Sequence, residues 1–134
     1  MSIRIQRDRG AAMRHQITIA NQTIAVDAPV AEGGEGLGAS PHDLYDAALG
    51  ACKALTVLWY ARKRGIPVED IQVNVARDDS RERAGVYRLD TQLTVSGTLT
   101  EAQLAELLRV AQKCPLHKLM TEVKTEIATS LVHA

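Results

Sequence analysis

Two cysteines are the whole thiol content of this 134-residue chain: Cys52 in "LGACKAL" and Cys114 in "KCPLHKL". Pro115 suits the first position of a helix, which makes Cys114 its N-cap. Backbone N–H groups and the positive end of the helix dipole would then face the sulfur. Lys113 and Lys118 add positive charge nearby. Such surroundings lower a thiol pKa and favour thiolate. The alternative for Cys114 is a small apolar residue at a helix start. Cys52 falls within an apolar helical pattern, beside Lys53, and alone would read as a buried core cysteine. With just two cysteines in the chain, a dithiol is open if the fold brings them together.

The other polar residues carry weaker signals. Cys114 and His117 have C-x-x-H spacing, and Cys52 with His42 could complete four ligands. Structural zinc takes paired ligands from two loops, however, and only one such pair exists here. His117 reads as a partly exposed helix residue, or as a base near Cys114. Asp43 stands three residues after Ser40 and has a structural explanation as the acidic member of a capping box. His42 has none. His15 and His133 fit no pattern. "EGGEGLGAS" holds four glycines between 33 and 38. It lacks the Gly-Lys-Ser/Thr ending of a phosphate loop and the strand and helix around a dinucleotide fingerprint, so it reads as a flexible loop.

The elements that must position these residues are legible in the pattern. Ile17 and Ile19, then Ile24 and Val26, alternate with polar residues around an expected Asn21-Gln22 turn, a hairpin pattern. Residues 3–5 add an edge strand. Ser40 and Pro41 start a helix through "HDLYDAALGACKALTVLWYARKR" that stops at Gly65. It is about 24 residues and roughly 36 Å long. Its expected apolar face carries Leu44, Ala48, Ala51, Cys52, Leu55 and Trp59, and Leu49, Val57 and Leu58 add apolar surface elsewhere. A helix apolar over more than one stripe is central to the fold or pressed against a second subunit. Residues 71–78 and 86–97 read as two antiparallel strands. Thr100 and Gln103 open a second helix, Pro115 a third, and "TEIATSLV" alternates as a closing strand. The order is β-β-β-α-β-β-α-α-β. The class is α+β, in one domain over residues 1–134.

Composition narrows the function. Sixteen basic residues balance sixteen acidic ones, and Phe is absent. There is neither the charge footprint nor the aromatic platform of a nucleic-acid binder. No stretch approaches the ~20 apolar residues of a membrane span, and "MSIRIQRDRG" has no apolar signal region. A cytoplasmic protein is expected, where a disulfide would be transient or catalytic.

"SPHDLYDAALGACKA", followed by "KCPLHK" after two strands and a helix, resembles the OsmC/Ohr family of osmotically inducible and organic hydroperoxide resistance proteins. The resemblance covers nearly the whole chain. It implies an intertwined homodimer and a thiol peroxidase that uses no metal or organic cofactor. Cys52 would be the nucleophile that attacks an organic hydroperoxide and becomes a sulfenic acid. Cys114 would resolve it into a Cys52–Cys114 disulfide, and an external dithiol of the lipoyl type would reduce that bond. The family also uses an Arg from the N-terminal strands, held by a Glu before the long helix. Arg14 is the match for the Arg, ahead of Arg9 and Arg7. The Glu of the peroxidase subgroups falls on His42, and that of other subgroups on Asp43. The His42 departure leaves a second expectation: a dimeric small-molecule-binding or stress protein with little peroxidase activity.

Overall fold

The structure is a computed structural model that describes residues 1–134. The backbone forms two compact units, residues 1–47 and 48–134. In the first, β1 (Ile3–Arg7), β2 (His15–Ile19) and β3 (Gln22–Val26) make an antiparallel sheet in sequence order. Ile5 opposes Ile17, and Ile17 opposes Ile24. Ile19 pairs with Gln22, so the hairpin turns on Ala20-Asn21, one residue earlier than the sequence suggests. Ala20 has a φ of 53°, a left-handed conformation that a Cβ disfavours.

The glycine-rich segment has an organised backbone built around one carboxylate. Asp27 is 3% exposed. It accepts the N–H groups of Ala28 (2.8 Å), Glu35 (3.1 Å) and Leu37 (3.2 Å). Burial pushes its pKa up, but the three donors outweigh burial, and it lies below the usual carboxylate value. A Cβ on Gly34 would lie 1.9 Å from the Ala28 carbonyl oxygen, so glycine is needed there for close backbone approach.

α1 (Pro41–Arg64) begins as its sequence signals require. Asp43 N–H donates to Ser40 Oγ (3.1 Å) and Ser40 N–H to the Asp43 carboxylate (3.0 Å), a reciprocal capping box. In the second unit, β4 (Asp70–Asp78) and β5 (Arg88–Ser96) pair antiparallel. Ile71, Val73 and Val75 oppose Val95, Leu93 and Thr91 on the more buried face. α2 (Glu101–Ala111) is closed at its start by the Thr100–Gln103 capping box, and α3 is Pro115–Thr121. The core of this unit is Val57, Ala61, Ile66, Leu107 and Ala111, with Tyr60, Val68, Ile71, Leu93, Leu99 and Val110 packed on it. Gly50 lets α1 approach β4, since a Cβ there would meet Val75 Cγ2 at 2.8 Å. Tyr60 on α1 donates its hydroxyl to Glu106 on α2.

Two further expectations are corrected. The buried stripe of α1 carries Leu49, Lys53, Val57 and Ala61, spaced by four, while Leu55 and Trp59 are 68% and 61% exposed. At about 100° per residue the two stripes lie on different sides of the helix. β4 and α2 cover the side that carries Lys53, and the sequence had no means of naming that side. The second correction is at the end of the chain. Residues 124–134 form no regular secondary structure, and Ile127, Leu131 and Val132 are largely exposed. Alternation prepares a segment for a sheet, but a strand exists only when an edge pairs with it.

Candidate active site

The dithiol is assembled by two helices. α1 carries Cys52 about halfway along, at the border between its buried and exposed stripes, and the residue is half-buried. Cys114 caps α3 with an extended backbone (φ −63°, ψ 150°), as Pro115 at the first helical position demands. It is fully buried. α3 brings the two sulfurs together. The Leu116 N–H donates to Cys52 Sγ at 3.5 Å, and the Cys52 thiol acts directly on Cys114. Both cysteines are free thiols. Thr56, one turn along α1, has its hydroxyl 4.0 Å from Cys52 Sγ.

Capping does not make Cys114 acidic. Burial dominates and pushes its pKa up from the ordinary thiol value. The His117 N–H opposes that push as a dipole, although the sulfur completes no capping hydrogen bond. The neighbouring Cys52 thiol raises the value further, and the positive charge of Lys53 lowers it. The expected activation of Cys114 by the helix start is therefore outweighed by desolvation. Lys113 and Lys118 are exposed.

Lys53 is the residue that sequence reasoning missed. It is 3% exposed and lies among apolar neighbours on α1. Its Nζ donates to the Ala111 carbonyl at 2.8 Å and lies 3.0 Å from His117 Nδ1. Ala111 is the last residue of α2, so its carbonyl has no partner within the helix. A cation there also meets the negative end of the helix dipole. His117 is the partly exposed helix residue the sequence suggested, with its ring facing Lys53. A lysine at helical spacing among Leu49, Val57 and Ala61 was the available signal.

The remaining predicted residues belong to the first unit. Arg14 directs its Nε (3.1 Å) and Nη2 (2.8 Å) onto the same Asp8 carboxylate oxygen. That hydrogen bond, helped by the opposite charge, raises the Arg14 pKa and lowers that of Asp8. Asp43 serves the α1 capping box, and His42 is exposed on the first turn of α1. His15 Nδ1 lies 2.6 Å from the Met13 carbonyl, a local turn contact. No group of three or more His, Cys, Asp or Glu side chains is placed to hold a metal ion. No helix is long and apolar enough to cross a membrane.

A family model described as OsmC-like protein matches residues 33–128. Among solved structures, a Psychrobacter arcticus protein described by osmotic stress induction and detoxification response superposes with a TM-score of 0.77. It is 21% identical, over 91% of this chain and 89% of that one. An organic hydroperoxide resistance protein OsmC from Legionella pneumophila gives 0.64 at 20% identity, over 91% and 90%. An OsmC-like protein from Mycoplasma pneumoniae gives 0.72 at 19% identity, over 98% and 96%. No curated protein matches the sequence. The mixed α+β architecture, with its antiparallel strands and three helices, is the one these structures share.

Proposed function

Because the chain belongs to the OsmC-like protein family, we propose that it is a thiol-dependent peroxidase of organic hydroperoxides acting in oxidative-stress defence. The observation that carries this reading is the meeting of Cys52 and Cys114, the only two thiols of the chain, at the start of α3. The half-buried Cys52 is the thiol a substrate can reach, and the buried Cys114 with its raised pKa suits a reserve thiol. In the first step the Cys52 thiolate attacks the distal oxygen of the hydroperoxide. An S–O bond forms, the O–O bond breaks and the alkoxide leaves, taking up the proton the thiol gave up to become an alcohol, while Cys52 becomes a sulfenic acid. Condensation with Cys114 releases water and forms the disulfide. A dithiol reductant, lipoyl-type in our reading, regenerates both thiols by exchange.

The protein works as a cytoplasmic homodimer of a single OsmC-like domain over residues 1–134. The family match spans the boundary between the two units, and the exposed Leu55 and Trp59 stripe suits a subunit contact. Arg14, held by Asp8, is the arginine of the proposed site. His42 and Asp43, at the start of α1, stand where the family has its Glu. The neighbour from Legionella pneumophila named for organic hydroperoxide resistance supports the substrate class.

The test is treatment of the reduced protein with cumene or t-butyl hydroperoxide, followed by mass spectrometry. An intramolecular Cys52–Cys114 disulfide is expected within seconds at micromolar peroxide, and two free thiols would sink the proposal. A second reading, a dimeric small-molecule-binding protein with little peroxidase activity, rests on an apolar groove of about 300 Å³. Val57, Leu93, Leu104, Leu107 and Leu108 line it. Inert cysteines together with a co-purified apolar ligand would favour that reading.

A further inference from the structure

Lys53 is 3% exposed, and an ammonium is costly to bury. A lysine ammonium removed from water is tolerated only when its donors are met. It has three N–H donors. One goes to the Ala111 carbonyl and one faces His117 Nδ1. An imidazole that accepts at Nδ1 carries its proton on Nε2 and is neutral. These contacts fix Lys53 from two directions, since Ala111 ends α2 and His117 lies in the first turn of α3.

Cys114 lies at the same junction, three residues before His117. The groups acting on it come from each element around it. α1 supplies Cys52 and Lys53, and α3 supplies the His117 N–H. α2 meets this junction through the Ala111 carbonyl, which accepts from Lys53. Lys53 is the one full positive charge in this set.

We propose that the Lys53 ammonium, locked by the Ala111 carbonyl and His117, is the charge partner of the Cys114 thiolate in the resolving half of the cycle. The proposal rests on the peroxidase reading for its place in catalysis; its electrostatics rest on the Lys53 contacts to Ala111 and His117 beside Cys114 and on the positive charge of Lys53 acting on that thiol. A buried thiol attacks a sulfenic acid only as thiolate, and burial makes that thiolate scarce. In resolution the Cys114 thiolate attacks the sulfur of Cys52–SOH. The S–S bond forms, the S–O bond breaks, and hydroxide leaves with the electron pair of that bond. The proton that Cys114 gave up ends on this hydroxide as water. When a dithiol reductant attacks Cys52 of the disulfide, Cys114 departs as thiolate and meets the same charge. Lys53 thus serves the second thiol and leaves the first attack to other groups.

Thiolate absorbance in the ultraviolet reads this charge without requiring access to the buried sulfur. The measurement is a pH titration of Cys52→Ser protein, taken as the difference from Cys52→Ser/Cys114→Ser. Lys53→Met and Lys53→Gln are expected to move the Cys114 midpoint upward by about one unit, roughly tenfold less thiolate at a given pH below it. Lys53→Arg is expected to keep the midpoint near that of the parent. A structural cap on α2 would leave the titration unmoved, so an unchanged midpoint in folded Lys53→Met and Lys53→Gln overturns the proposal. With both cysteines present and hydroperoxide added, dimedone trapping of Cys52 sulfenic acid is expected to keep its rate. Disulfide formation is expected to slow about tenfold in the neutral variants. Should the parent protein ignore hydroperoxide altogether, the peroxidase reading falls, and the titration still decides the role of Lys53.

Discussion

Burial at the start of α3 sets the chemistry of Cys114. Desolvation favours its neutral thiol, and this has a consequence for stability. A folded pKa above the unfolded value gives a contribution that is complete below the unfolded pKa of about 8.5. It fades as pH rises through the folded value. Melting temperature is therefore expected to fall from about pH 8.5 upward, and Cys114→Ala should remove that component of the fall. Asp27 has the opposite sign. Its pKa is held below the unfolded value, so its contribution is present above about pH 3.9 and is lost as pH falls through the folded value. Asp27→Asn is expected to melt lower than the parent at neutral pH, with the gap closing in strong acid. Thermal melts of the pairs across pH check both. Ala20 is a third residue-scale case. Its left-handed φ predicts that Ala20→Gly raises stability by up to about 1 kcal/mol, read from chemical denaturation.

At the scale of elements, capping and packing carry the argument. Thr100 accepts the Gln103 N–H at 3.1 Å, and Gln103 Oε1 accepts the Thr100 N–H at 2.9 Å. Thr100→Ala should cost about 1 kcal/mol. Leu107, buried on the facing side of α2, should cost about 2–5 kcal/mol when truncated to Ala, because β5 and α1 fix the walls of the hole. The comparison of the two in urea separates the end of the helix from its packed face. α1 has two apolar stripes, and the one that meets the core includes a lysine. The other carries Trp59 with Lys63 Nζ 4.8 Å from its ring, a contact that shields part of an exposed aromatic.

For the whole molecule, the exposed stripe and the chain end make one prediction. Leu55 and Trp59 on α1, with Ile127, Leu131 and Val132 near the C-terminus, leave much large apolar surface in water. Sedimentation is expected to give twice the 14.6 kDa chain mass. Trp59→Glu should shift the protein toward the single-chain mass. A parent sample at the single-chain mass across micromolar concentrations would remove the dimer from the proposed function.

The sequence by itself determined the local structure. Ser40 with Asp43, Thr100 with Gln103, and Cys114 before Pro115 each set a helix start, because capping is settled within four residues of chain. Alternation placed β2 through β5 for the same reason. Which side of α1 is buried was not local. It depends on where β4, β5 and α2 come to rest, so Lys53 drew no reading of its own and Trp59 looked like core. The pattern of residues 125–132 could not form a strand without an edge to pair with. The character of Cys114 was likewise decided by tertiary structure. The sequence supplied a helix dipole that favours thiolate, and the fold supplied the burial that outweighs it, with one buried ammonium set against that burial.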